Sequence, residues 1–174
     1  MLKNIIIGIA LITGITGLVL SLNHPVTEVV YVDMGKLYDG FALSKELNTD
    51  LEKIIKARKT ISDSLYEDLR SQTQELKSKE KKTVEDIQGL AKLEEEYYYK
   101  QQQFEKDNHS TSTEYLAKIW NQLNQYMQDY GASKKYTFIL GANGQGNIMY
   151  GEKSKNITDE VIIYVNNRYN DKIK

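Results

Sequence analysis

The stretch GANGQG at residues 141–146 holds three glycines in six positions. Glycines at that density can bare backbone N–H groups around a phosphate. That chemistry needs a helix N-terminus directly after the loop, so that free N–H groups and the dipole meet the anion. It also calls for a Lys followed by Ser or Thr, as in a P-loop. Neither is present, and the next segment, NIMY at 147–150, reads as a strand. Gly141, Gly144 and Gly146 are therefore read as turn residues that supply positive φ in a β-hairpin.

No other set of residues assembles a reaction. The two histidines, His24 and His109, each lack a second histidine at metal-ligand spacing. The absence of cysteine excludes disulfides, thiolate metal sites and a cysteine nucleophile. Asp33 follows a strand but has no nameable base or nucleophile partner, and the same holds for Ser110 and Ser112. Glu94, Glu95 and Glu96 read as a solvated helix face. Asn108-His109-Ser110 and Asn156-Ile157-Thr158 match the glycosylation sequon, a pattern short enough to arise by chance. No catalytic, cofactor-binding or metal-ligating set emerges, and the chain is read as a non-enzyme without a cofactor.

The aromatic content stands out instead. There are 13 tyrosines, among them the run Tyr97-Tyr98-Tyr99. Three consecutive helical residues point in three directions, so one of the three must face solvent. Such tyrosines either pack a thin helical pair with the phenol tip in water, or offer a contact surface to unfolded apolar segments.

The elements that carry these residues follow from pattern. With 174 residues the chain is one domain, or one domain with an extension. One proline, 27% charged residues and a mean hydropathy of −0.55 favour long wet helices over a conventional globule. A net charge of −1 gives no field that would draw in nucleic acid or anionic lipid. At the start, Lys3 precedes an uncharged apolar run at 5–22, IIIGIALITGITGLVLSL. This reads as an export signal with a tolerable cleavage site at Ser21, or as a retained membrane anchor of minimal length.

After a linker at 23–27, residues 28–34 (EVVYVDM) read as a strand ended by Gly35. From about 37 to 82, Leu43, Ile54, Leu65, Leu76 and Ile87 recur every 11 residues, with Leu47 and Leu69 on nearly the same face. That period corresponds to an almost straight helix with a narrow apolar stripe. Charge dominates 78–89, read as a bend. A second helix from about 90 to 130 repeats Leu93, Phe104, Tyr115 and Tyr126, and also Tyr97, Asn108, Ile119 and Tyr130. Two helices of matched period and short connection form an antiparallel hairpin. Its weak point is the polar stretch 108–113, expected to pack loosely or bend. Strands at 135–140 and 147–150 then form the hairpin around the glycines. A last helix, capped by Thr158, carries Val161, Ile162, Val165 and Tyr169.

A three-stranded sheet of 28–34, 135–140 and 147–150 is too small to stand alone, and its edges would be open. Several copies would close such sheets into one barrel, from which the helical arms hang around a space. The expected class is α+β: a small β-barrel body formed on oligomerisation, with a long antiparallel coiled-coil hairpin. The expected parts are a signal or anchor at 1–22, a body at 23–36 and 131–174, and an arm at 37–130. Val30, Val32, Tyr136, Phe138, Leu140, Ile148 and Tyr150 are the body residues expected to join copies.

In order and spacing the chain resembles the Skp/OmpH family of periplasmic chaperones. The resemblance is carried by VVYVDMGKLYDGFALSKE at 29–46, the long hairpin, YTFILGANGQGNIMYG at 136–151 and ITDEVIIYVNNRY at 157–169. Val32, Asp33, Leu37 and Tyr38 match the family's passage from first strand into arm. It implies a homotrimer that works in the periplasm and holds unfolded outer-membrane β-barrel proteins between its arms without ATP. On that reading the arm stripe of Leu43, Leu47, Ile54, Leu65, Leu69, Leu76, Leu93, Tyr97, Phe104, Tyr115 and Ile119 meets the client. Well-known members are basic, whereas here Lys77, Lys79, Lys81 and Lys82 at the arm tip are offset by Glu75, Glu80, Glu85 and Asp86. A lipopolysaccharide-binding role is therefore not carried over. If residues 5–22 are retained, the holdase is tethered to the membrane. The alternative reading is a membrane-tethered coiled-coil adaptor of the cell envelope.

Overall fold

The computed structural model describes residues 28–173. The apolar run at 5–22, the linker with His24 and the cleavage site at Ser21 lie outside them. Strand β1 (Val29–Asp33) leads into a short helix α1 (Met34–Gly40) and two long helices, α2 (Ala42–Ser78) and α3 (Val84–Lys134). Strand β2 (Phe138–Ala142), a single 3-10 turn at Lys153–Lys155 and helix α4 (Thr158–Ile173) complete the chain. At 1.5 Å per residue, the 37 residues of α2 and the 51 of α3 span about 55 and 75 Å.

Asp33 begins α1 as its N-cap: the carboxylate accepts the Lys36 N–H at 3.0 Å. That is a structural use for an acid that follows a strand. The first arm helix is not continuous from 37, as the pattern had implied. It breaks at Phe41, whose backbone is extended (φ −79°, ψ 131°). Asn166 of α4 holds this break open. Its side-chain N–H donates to the Gly40 carbonyl at 2.9 Å, and its Oδ1 accepts the Ala42 N–H at 2.8 Å. The freed Phe41 ring turns inward, fully buried, edge-on to Tyr126 and Tyr169.

The bend between the arms is also shorter than expected. It spans only residues 79–83, because Thr83 and Asp86 form a capping box that starts α3. The polar stretch 108–113 neither breaks nor ends α3. The Thr111 and Thr113 hydroxyls donate to the carbonyls of Asp107 and His109 one turn back, and the helix runs through.

Among the described residues the sheet has two strands, not three. β1 and β2 pair in parallel, Val29 with Phe138 through Asp33 with Ala142. The second strand starts three residues later than the pattern suggested. The segment 147–150 is not a strand, so the expected antiparallel β-hairpin is absent. Side chains close the glycine turn in its place. The Asn147 amide donates to the Gly141 carbonyl, Asn143 N–H donates to Asn147 Oδ1, and Gln145 N–H to Asn143 Oδ1. Gly144 and Gly146 take positive φ (72° and 89°), whereas Gly141 does not and lies within β2. Gly141 instead marks a close approach: a Cβ there would sit 2.6 Å from the Met34 sulfur, and that side chain would have to move aside.

One core joins the body to the arm root. Val30 and Val32 of β1, Phe41, Leu43 and Leu47, Ile119, Leu123, Tyr126 and Tyr130, and Ile157, Val161 and Val165 pack together. Thr158 is buried, but its hydroxyl does not cap α4. It accepts the Asp33 N–H at 2.9 Å and so ties α4 to the end of β1.

Candidate functional site

Beyond the root, no residue of either arm is buried. All buried positions of α2 fall within Ala42–Leu47, and those of α3 begin at Ile119. Beyond residue 50, the half-buried positions of α2 are 51, 54, 58, 62, 65, 69, 73 and 76. Their spacing repeats as three, four, four, an 11-residue period that keeps one edge of the helix against α3. The stripe expected to meet a client is thus divided. Leu43, Leu47 and Ile119 are buried in the core of the root. Ile54, Leu65, Leu69, Leu76, Leu93, Tyr97, Phe104 and Tyr115 are half-buried along the seam between the arms.

Several polar residues interrupt the seam, and two of them meet across it. Arg58 lies midway in the row Leu47–Leu69, and Asn108 midway in the row Tyr97–Ile119. The Arg58 guanidinium donates to Asn108 Oδ1 at 2.6 Å. Arg58 escaped the sequence reading, although its position in the 11-residue row was the available signal. At the tip, Lys79 Nζ pairs with Asp86 at 2.9 Å and with Glu75 at 3.4 Å. The bond from Lys79 and those from Thr83 hold the Asp86 carboxyl down to about 2.

The apolar surface that remains open lies beside the seam. Ile55, Ile61, Tyr66, Ile87, Tyr98, Tyr99 and Leu116 are all exposed. Only Ile87 belonged to the expected stripe rows. Ile55, Tyr66, Tyr98 and Leu116 sit one helical position off those rows, and Ile61 and Tyr99 lie further off, where periodicity registers nothing. Shallow open grooves flank the seam. One of about 710 Å³ at the root is lined by Leu43, Leu47, Glu114, Lys118 and Tyr169. Another, of about 460 Å³, lies beside Arg58 and Phe104.

The body has a second open apolar surface. Strand alternation turns Val30, Val32 and Ile139 toward the helices, and Val29, Phe138 and Leu140 outward. Val30 and Val32 were expected to join copies. Both are buried within their own chain instead, at 3% and 2% exposure. Tyr136 is half-buried against Tyr130, and Ile148 is half-buried. Phe138 (57%), Leu140 (43%), Met149 (89%) and Tyr150 (86%) are open. β1 is flanked on its other side by Asn156, whose neighbour Ile157 donates to the Tyr31 carbonyl at 3.0 Å. Among the described residues, no strand pairs with the outer edge of β2.

Among the described residues, no three His, Cys, Asp or Glu side chains gather as a metal site. No described helix is long and apolar enough to cross a membrane. His109 is exposed on α3. The sequon asparagines are engaged: Asn108 accepts from Arg58, and Asn156 Oδ1 accepts from the Thr158 N–H and hydroxyl.

Comparison with known proteins points to one family. The family model described as outer membrane protein (OmpH-like) matches residues 28–165. No curated protein matches the sequence. Six chains of solved structures match it. One is the crystal structure of a chain described as an outer membrane chaperone (OmpH-like) from Caulobacter crescentus CB15. It superposes with a TM-score of 0.64 at 16% identity, over 84% of this chain and 88% of that one.

Proposed function

The chain belongs to the family of OmpH-like outer membrane proteins, and on that premise we propose that it is an ATP-independent holdase chaperone of the periplasm. Its clients are unfolded outer-membrane β-barrel proteins, held between the arms of a homotrimer until they insert. The observation that carries this reading is the division of apolar surface on the arms. The inner edge of each stripe is taken up by the thin seam, while Ile55, Ile61, Tyr66, Tyr98, Tyr99 and Leu116 stay open to water. Many separate exposed apolar groups without a shaped pocket give many weak contacts. They shield an unfolded chain from aggregation without imposing a fold on it. Arms with no buried residue beyond the root can splay to fit clients of different size. Release needs no nucleotide, because client folding in the bilayer competes with weak binding by mass action.

The trimer is proposed from the body. Val29, Phe138, Leu140, Met149 and Tyr150 form an open apolar face beside an unpaired strand edge. Such an edge invites pairing with another chain. The segment Asn147–Tyr150 has strand character and is unpaired within its own chain. In the assembly it pairs with the β2 edge of a neighbouring copy and closes the barrel.

The test is light scattering on residues 23–174, alone and with a urea-diluted outer-membrane β-barrel protein. A trimer that holds the barrel protein soluble in a stable complex is the expected outcome. A monomer or dimer without effect on aggregation would remove both the holdase and the cavity. The membrane-tethered envelope adaptor would then be the better account, and it should bind one folded partner at defined stoichiometry.

A further inference from the structure

We propose that the face of α3 carrying Tyr98 and Tyr99 is a docking site for extended, unfolded segments that alternate apolar and cationic side chains. The proposal rests on the holdase reading and names what such a client must carry. Tyr98 and Tyr99 are 55% and 63% exposed on the outer flank of the seam, with Tyr66 of α2 at 49%. Tyr97, the third of the run, is half-buried, with its ring 5.8 Å from Tyr66 and 5.4 Å from Tyr98. Tyr66 and Tyr98 are therefore held in place by a packed ring.

Carboxylates stand one turn below them. Helical spacing puts Glu94 and Glu95 beside Tyr98, and Glu95 and Glu96 beside Tyr99. All three glutamates are exposed, and none enters an ion pair among the described residues. On α2, Asp63 and Glu67 are already matched by Lys59 and Arg70. Lys92 and Lys100 lie one turn from Glu95 and Glu96 without pairing with them, and Lys100 is half-buried, so the balance of this face is negative.

An aromatic face beside a free carboxylate suits a Lys or Arg side chain. The cation can lie over the ring while its head meets the carboxylate. An anionic segment on the Tyr98 side would instead meet the carboxylates of Glu94 and Glu95. The spacing also fits an extended chain. Residues two apart on one side of a strand are about 6.6 Å apart. Glu94 to Tyr98 spans about 6 Å along the helix. An apolar side chain on Tyr98 thus places the next cationic side chain of the same strand face at Glu94.

The test is fluorescence anisotropy of the full chain with short labelled unfolded peptides. One peptide places Leu and Lys two apart on one strand face, and its twin carries Glu in place of Lys. At low ionic strength the Lys peptide should bind about tenfold tighter, with the gap closing at high salt. The triple variant E94Q/E95Q/E96Q should erase the preference. The double variant Y98S/Y99S should weaken the Lys peptide while circular dichroism shows the helices intact. The inference is overturned if the Glu peptide binds equally well, or if the preference survives in the triple variant. It is also overturned if Y98S/Y99S alters only the mass of the assembly, which would make the occupant a second copy. The two readings fail separately. Lost preference with intact protection of a barrel protein removes the docking site alone. A Lys-selective chain that fails to protect removes the holdase and leaves the site.

Discussion

Tyr130 and Tyr169 anchor α4 through phenols that donate to carboxylates. Tyr130 reaches Glu160 at 3.1 Å, and Tyr169 reaches Glu46 at 2.6 Å. Burial first, and then the acceptor carboxylate, pushes each phenol from 10.0 up to about 12. The folded value is raised, so the neutral phenol is the stabilising form. That contribution is complete below pH 10 and is lost as pH rises toward 12. Thermal unfolding followed from neutral to alkaline pH should show a fall in Tm over that window. In Y130F/Y169F the alkaline fall should flatten, with a neutral-pH cost of about 1 kcal/mol per lost bond. At this scale the sequence was legible where backbone geometry alone restricts the residue. Gly144 and Gly146 were read correctly as positive-φ positions. The roles of Gly141, Thr158 and Asn147 were not legible, because each is defined by an atom distant in sequence or by a side chain replacing a ladder bond.

Among the elements, the arm depends on two polar devices at its middle and its end. The Arg58–Asn108 bond joins the polar break in the row Leu47–Leu69 to that in the row Tyr97–Ile119, and a shift in register would break it. A double-mutant cycle with R58A and N108A should give a coupling of about 1 kcal/mol in thermal or urea unfolding. Additive single effects would show the bond to be incidental. At the tip, the Thr83–Asp86 capping box and the Lys79 pair hold the turn. The Asp86 carboxyl is depressed from 3.8 to about 2, so its contribution is present above 3.8 and lost as pH falls toward 2. Amide exchange near residues 79–87 should quicken over that acid window before the root responds. T83A should produce the same local fraying at neutral pH, at about 1 kcal/mol for the lost cap. The 11-residue period made the hairpin legible, because periodicity is a local property of a helix. The break at Phe41 was invisible because Asn166, more than a hundred residues away, holds it.

For the molecule as a whole, the open sheet face is the feature that most needs a partner. Replacing Phe138 and Leu140 by Ser alters residues that are 57% and 43% exposed in the single chain. F138S/L140S should therefore leave the helical signal of the chain unchanged while lowering the mass of the assembly by light scattering. An unchanged mass would place the contact between copies elsewhere. On the proposed holdase reading, loss of the oligomer should also abolish client protection, since the proposed cavity requires several arms.

The sequence by itself determined the first strand, the long helical pair and the C-terminal helix. Each of these follows from residue type and local spacing. Only the tertiary structure decided which apolar residues are open. Leu43, Leu47, Ile119, Val30 and Val32 look available in the pattern, but the core at the arm root takes them. Tyr66, Tyr98 and Leu116, one position off the rows, are the ones left to water. A hydrophobic period marks the face that packs. The residues that escape packing depend on the partner helix, whose register is set by contacts distant in sequence.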